Sequence, residues 1–413
     1  MRILHVVPTY LPAVRYGGPI RSVHALAAAQ TRQRAEVEVF TTNVDGPGRL
    51  DVPIGVPVEL DGVRVTYFAC GVPRRLYRSP ELGRALESRV TGFDIVHLHS
   101  VFLWPTAAAG RAARRHEVPY VVSPRGMLVR DLIRRRSRLP KEAWLRFVER
   151  DNLEGAARIH FTSRLELDEA LAFPYRWPPG EVVPNGVEPE PGANGDPAPA
   201  IRHLCEGAPF VLFLGRLSWK KGLDRLIPAM RALPGTTLVV AGPDDEGLEP
   251  ALRSLALREG VVDHVRFIGP VHGADKIALL RAAALLAVPS YSENFGNVVL
   301  EALLEGCPVA LTREVGAAPI VEAAGAGRVV PGDPPALGRA LAELLADDSL
   351  RRTMGAAGRE VTRRDFSWDA VAKRMDALYR AARAEPTASM PVHGSAVGAS
   401  SETSVATSRS DLR

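Results

Sequence analysis

Three cysteines in 413 residues, at positions 70, 205 and 307, are too few and too far apart to form a disulfide frame, and no C-x-x-C pair marks a zinc site. They fit a reduced, cytoplasmic compartment. No apolar run reaches the roughly 18 residues of a membrane-spanning helix. The opening "MRILHVVPTYLP" lacks the longer apolar stretch and small-residue cleavage site of a signal peptide, so Arg2–Val7 reads as a first β-strand. No G-x-G-x-x-G follows that strand, which weakens a dinucleotide-binding oxidoreductase. No Asp-x-Asp offers a seat for a divalent cation, and no repeat of solenoid period is evident. The basic stretches lack interleaved aromatics and any recognition motif, which argues against nucleic acid.

What is present is an apolar and mildly basic chain: 46% hydrophobic and 24% charged, net charge +5, pI near 9.3. That is enough to bury a core, and the length suggests two or three domains. The charge excess implies an acidic partner. It is concentrated in Arg130–Arg150, where eight Arg or Lys face three acids. Two readings stand: a solvated helical face, or a surface for anionic lipid headgroups with Leu132, Ile133, Trp144, Leu145, Phe147 and Val148 on the buried side.

Short β-rich runs alternate with helical patterns throughout. In the first half they are Arg2–Val7, Glu36–Thr42, Val63–Phe68, Asp94–Leu98, Tyr120–Ser123 and Arg158–Thr162. In the second they are Phe210–Leu214, Thr237–Ala241, His264–Ile268, Ala284–Val288, Pro308–Leu311 and Arg328–Val330. Such runs separated by helices predict parallel sheets covered on both faces, hence an α/β protein of two doubly wound, Rossmann-like domains. "PNGVEPEPGANGDPAP", residues 184–199, has five prolines and three glycines and is expected to be the linker. The boundaries are then 1–183 and 200–366, with an amphipathic helix at 367–382 and a Ser/Thr-rich, disordered tail at 384–413.

Ligands of open α/β sheets sit beyond the carboxyl ends of the strands, so the chemistry is sought on the loops there. In "FVLFLGRLSWKKGLDRLI", a strand ends at Leu214, a loop carries Arg216, Lys220 and Lys221, and Gly222 opens a helix. Cations at that place suit a diphosphate. In "YSENFGNVVLEALLEGCPV", Glu293 and Glu301 are eight positions apart around Gly296. With the phosphates neutralised elsewhere, these carboxylates suit hydroxyl groups: Glu301 roughly 7.5 Å along the helix axis, where a ribose could hang, and Glu293 beside the sugar. The alternative is two surface glutamates, with Glu293 and Asn294 capping a helix. His97 and His99 share one face of a strand; a metal pair would need a third ligand that no spacing supplies, leaving an acceptor-side His99 or a buried, hydrogen-bonded one.

These motifs, with "AGPDDEG", "FIGPV" and "DFSWDAVAKRMDALY", resemble the retaining glycosyltransferases of family 4, which have the GT-B fold; "GGP" (Gly17–Pro19), "HLHS", "SPRGML" and "PNGV" are similar to the family's N-terminal landmarks. The resemblance covers nearly the whole chain except the tail. It implies transfer of a sugar from a nucleotide diphosphate sugar to an acceptor hydroxyl, with retention and without metal or cofactor, in polysaccharide, lipopolysaccharide or glycolipid assembly. It implies that Arg216 and Lys221 hold the donor diphosphate and that Glu293 meets the sugar hydroxyls. Phe295, Gly296, Asn297 and Val298 would surround sugar and phosphate, Glu301 would bond the ribose, and Gly18 would approach the phosphate from the other domain. The helix at 367–382 would cross back to the first domain. Where many members carry a histidine this chain has Arg125, as in an "SPRGM" subgroup. Arginine cannot exchange a proton near neutral pH, so Arg125 is read as a clamp for a phosphate or acidic acceptor, or as a loop residue in an ion pair. Two alternatives remain: a sugar-nucleotide epimerase or hydrolase of the same fold, and a non-catalytic nucleotide-sugar-binding or membrane-scaffold protein.

Overall fold

The computed structural model describes residues 1–13, 18–130, 133, 138–189, 192 and 195–384. Gly17, residues 131–132 and 134–137 of the basic stretch, residues 190, 191, 193 and 194 of the expected linker, and the expected tail from 385 lie outside the described residues.

Two large sheets form among the described residues, beside a small antiparallel ribbon of Val44–Asp45 with Gly48–Arg49. The first contains β1 (Arg2–Thr9), β2 (Glu36–Thr42), β3 (Pro57–Leu60), β4 (Val63–Phe68), β5 (Ile95–His99), β6 (Tyr120–Ser123), β7 (Arg158–Phe161) and β8 (Gly180–Val182) in the order β8-β7-β6-β5-β1-β2-β4-β3. All its pairings are parallel except β3 with β4. The second contains β9 (Phe210–Leu214), β10 (Thr237–Ala241), β11 (Val265–Gly269), β12 (Leu285–Val288), β13 (Val309–Thr312) and β14 (Gly327–Val330), ordered β11-β10-β9-β12-β13-β14 and wholly parallel. The central strands are buried along nearly their whole length, Arg2 and Leu214 at two of their ends excepted, as a sheet with helices on both faces requires. Strands β3 and β8 had no counterpart in the sequence reading. β3 is half exposed and β8 has three residues, so neither carries a continuous apolar run.

Each sheet has an apolar layer on either face. One layer of the first sheet contains the last described helix, Trp368–Ala384. Its Trp368, Val371, Ala372, Met375, Leu378, Tyr379 and Ala382 recur at three- and four-residue steps and are buried among Ile3, Val23, Leu26 and Val121. The helix therefore belongs to the core of the first domain although it follows the second. The chain crosses between the domains twice, and the crossings touch: Val187 N–H donates to Phe366 O at 2.8 Å.

Candidate active site

The two sheets face each other across a cleft walled by the loops at their carboxyl ends. On the second sheet, the loop after β9 carries Arg216 and Lys221. Arg216 is exposed and makes no hydrogen bond or ion pair with the described residues. Lys221 pairs with Glu293, both side chains about a quarter exposed. The helix Asn297–Leu304 starts from Gly296 at φ 90°, with Val299, Leu300, Ala302 and Leu303 buried and Asn297, Val298 and Glu301 half-buried. Glu301 accepts an ion pair from Lys276 at 3.0 Å. Lys276 is only 8% exposed. The sequence reading missed it because it lies on another helix, Gly273–Ala282, with no motif around it. Both motif glutamates are thus paired with lysines and remain partly exposed, 22% for Glu293 and 30% for Glu301. Phe295 is not a cleft residue by its side chain; it is 3% exposed in the apolar core, and its carbonyl accepts from Ala317 N–H at 2.8 Å.

Across the cleft, a cavity of about 440 Å³ joins Arg216, Ser218, Trp219, Lys220, Asp245 and Glu246 of one domain to Phe102, Gly126, Met127, Ile133 and Lys141 of the other. Trp219 is 40% exposed. Gly18, at the start of the helix Gly18–Arg32, approaches Asn297 closely: a Cβ there would sit 2.9 Å from Asn297 Nδ2.

His99 does not line the cleft. It is 1% exposed, in a layer that strand register assembles. His5 lies beside His97, His99 beside Ser123, and alternation puts all four on one face. Hydrogen bonds tie His5 to His99 at 2.8 Å and His97 to Ser123 at 2.6 Å. Ser123 bonds His160 at 2.7 Å. Burial pushes His5 down to about 4, His160 down to about 3, and His97 and His99 well below the usual imidazole value. These rings are neutral at physiological pH. His5, His97 and His99 bring ring nitrogens within 4.8 Å of one another, the third ligand that spacing alone did not supply. Every one of those nitrogens is already hydrogen-bonded, and the Arg125 guanidinium contacts His99 at 3.2 Å. The layer fits a hydrogen-bonded network and not a cation site.

The sequence matches two family patterns: "Glycosyl transferase 4-like domain" over residues 17–186 and "Glycosyl transferases group 1" over residues 199–361. It is 33% identical to the D-inositol 3-phosphate glycosyltransferase of Salinispora tropica across 92% of this chain and 85% of that protein. With the enzyme of the same name from Corynebacterium glutamicum the identity is 32%, across 94% of this chain and 98% of that one. The chain belongs to the glycosyl transferases group 1 family. It is a retaining glycosyltransferase that draws on a nucleotide sugar. Among solved structures, sucrose-phosphate synthase from Thermosynechococcus elongatus superposes with a TM-score of 0.71 at 24% identity, over 92% of this chain and 98% of that one. Anabaena Alr3699/HepE, solved with UDP-glucose, gives 0.69 at 19%, over 92% and 99%. These two likenesses bear on the fold alone, which is GT-B. Among the described residues no helix is long and apolar enough to cross a membrane.

Proposed function

We propose that this glycosyltransferase binds a uridine diphosphate sugar along the second domain and passes the sugar to a hydroxyl of a saccharide or lipid-linked acceptor seated in the 440 Å³ cavity. Arg216 and Lys221 hold the diphosphate, Glu301 the ribose, and Glu293 the sugar hydroxyls. The backbone of Phe295, Gly296, Asn297 and Val298 closes around sugar and phosphate, with Gly18 opposite. As the glycosidic bond breaks, negative charge grows on the departing diphosphate. Fixed cations are worth most at that moment, because they need no reorganisation. The acceptor proton leaves to the departing phosphate oxygen on the same face, the course that retention requires of a single displacement.

One observation carries this reading: Arg216, exposed and without a protein partner among the described residues, stands on the wall of a cavity whose other side belongs to the first domain. A cation placed there serves a ligand. The choice of uridine is supported by the HepE complex with UDP-glucose, and a phosphorylated polyol is the acceptor named for the D-inositol 3-phosphate relatives. For this chain the cavity combines the Trp219 ring, Met127 and Phe102 with Lys141 and Lys220. That mixture suits a sugar ring bearing an acidic group.

Thermal stabilisation by a panel of nucleotide sugars, followed by product analysis with candidate acceptors, tests the reading. Stabilisation by UDP-sugars and an acceptor-dependent product with retained configuration support it. Donor consumption that no acceptor accelerates would instead favour the epimerase or hydrolase.

Phe147 supports a peripheral membrane location. It was expected on the buried side and is instead 75% exposed, next to the exposed Arg146 and Arg150. The cause is local: Leu145 is buried, and so is Glu149, which accepts hydrogen bonds from Phe102 N–H, Trp144 Nε1–H and Asn152 Nδ2–H, so Phe147, two positions from each, lies on the opposite face of the helical turn. Flotation with anionic vesicles should recover the protein, and recovery equal to that with neutral vesicles would contradict the assignment.

A further inference from the structure

The loop residue Arg125 adopts φ 56°, a left-handed conformation that costs a non-glycine residue energy, and its buried Nε has no partner among the described residues. Burial lowers its pKa to about 10, so it stays charged. A strained, incompletely satisfied cation persists where its surroundings hold it for a reason. Its two remaining arms show the reason.

One arm points toward the donor. Arg125 Nη1–H donates to Asn185 Oδ1 at 2.9 Å. Asn185 Nδ2–H donates to Asn297 Oδ1 at 2.9 Å, and Asn297 Nδ2–H to Ser22 Oγ at 3.0 Å. Ser22 closes the row on Gly18 O at 2.9 Å. Asn297 is the first residue of the helix that carries Glu301. Its position relative to the first domain is therefore set by this row of amides.

The other arm points inward. Arginine only donates, so His99 Nδ1 is the acceptor and its Nε2 carries the proton. That choice fixes every group after it. His99 Nε2–H donates to His5 Nδ1, and His5 Nε2–H to Gln30 Oε1, each at 2.8 Å. Gln30 Nε2–H donates to Tyr379 OH at 3.2 Å, and the Tyr379 hydroxyl to His97 Nδ1 at 2.7 Å. His97 Nε2–H donates to Ser123, Ser123 to His160 Nδ1, and His160 Nε2–H to Val183 O at 2.8 Å. The chain runs one way from Arg125 to a carbonyl at the end of β8, through the crossover helix at Tyr379. No donor faces a donor.

The donor loop is gripped a second time beside Arg125. Asn294 Nδ2–H donates to Thr162 Oγ at 2.8 Å, and Ser163 O–H to Asn294 O at 2.7 Å. Glu166, buried, braces both sides by accepting from Gly126 N–H at 2.6 Å and Thr162 N–H at 2.7 Å. Gly126 is required there: its φ is 73°, and a Cβ would lie 2.8 Å from Asn294 Cβ.

We propose that Arg125 is a positioning residue for the transfer reaction, joining the first turn of the donor-binding helix, through Asn185 and Asn297, to a buried one-way hydrogen-bond chain that reaches the crossover helix at Tyr379. This rests on the donor-site assignment above. It gives the arginine a task that needs neither proton exchange nor substrate contact. It also makes the set of the donor helix depend on a tyrosine of the crossover helix, Tyr379, which sits midway along that chain between Gln30 and His97.

The test compares wild type with Arg125→Lys, Asn185→Ala, Tyr379→Phe and the Arg125→Lys/Tyr379→Phe double variant. Readouts are kcat, donor KM, UDP affinity by calorimetry and thermal midpoint. Lysine keeps the charge but not two divergent planar arms, and phenylalanine keeps the packing but removes the hydroxyl from the chain. Each single variant should lower kcat over donor KM at least tenfold, and the double should be no worse than the poorer single. Tyr379→Phe with wild-type kcat, donor KM and UDP affinity, or fold-losses that multiply in the double, would overturn the proposal. Should Arg125→Lys fail to fold, Asn185→Ala paired with Tyr379→Phe makes the same comparison. Wild type that binds no UDP would sink the donor-site reading itself, a separate outcome from wild type that binds UDP and variants that bind it equally well.

Discussion

Replacing Lys221 by alanine separates the chemical role of the basic loop from its contribution to folding. Lys221 and Glu293 are paired with side chains 23% and 22% exposed. A pair that accessible to water contributes at most about 1 kcal/mol to stability. For a domain of this size that is a midpoint shift of roughly 2–4 °C. If Lys221 stabilises the departing diphosphate, its loss costs about 10²–10³ in kcat, or roughly 2.7–4 kcal/mol of transition-state stabilisation. The two effects differ severalfold and can be read separately. The assay is UDP release at saturating donor and acceptor, alongside a thermal melt. Arg216→Ala provides the comparison: with no partner among the described residues, Arg216 should lose similar activity with no change in melting. Turnover of Lys221→Ala within about threefold of wild type would refute the role assigned to it.

Three further outcomes are expected. Lys276→Met removes the cation that holds Glu301 at 3.0 Å; donor KM should rise about tenfold with kcat little changed, since a ribose contact contributes uniform binding, and an unchanged KM would detach Glu301 from the donor. Trp219→Ala should raise acceptor KM at least fivefold and leave UDP affinity untouched; the reverse pattern would place the acceptor elsewhere. Stability should also depend on pH. Burial lowers His5 to about 4 and His160 to about 3, with His97 and His99 lowered as well, while the unfolded chain titrates near 6.5. Below 6.5 the unfolded state binds the extra protons, so stability falls as pH drops from 6.5 toward 4, each imidazole contributing up to about 2 kcal/mol at pH 5. Denaturant midpoints equal at pH 5 and pH 7 would contradict this.

The domain pattern was legible because parallel strands covered on both faces are continuous apolar runs, and the twelve expected strands correspond to observed ones. The placement of the loop cations and paired glutamates after strand ends was legible because each set lies within one strand–loop–helix unit; their roles are the ones proposed above. Lys276 and His5 were not. Lys276 meets Glu301 only through packing of two helices, and His5 meets His99 only through the register of strands 94 positions apart. Arg125 stood out in sequence as a departure from the family's usual histidine, and His99 and Asn185 lie in the landmarks "HLHS" and "PNGV", but nothing local joins the three: their contacts arise only in the folded chain. Phe147 was misplaced because, two positions from the buried Leu145, it lies about 200° round a helix and so on the opposite face.

The most direct measurement is a crystal structure of the enzyme soaked with UDP. The diphosphate is expected against Arg216 and Lys221, with the ribose hydroxyls on Glu301 and the Asn185–Asn297 contact intact. Nucleotide density away from that loop, or a ribose turned from Glu301, would contradict the account.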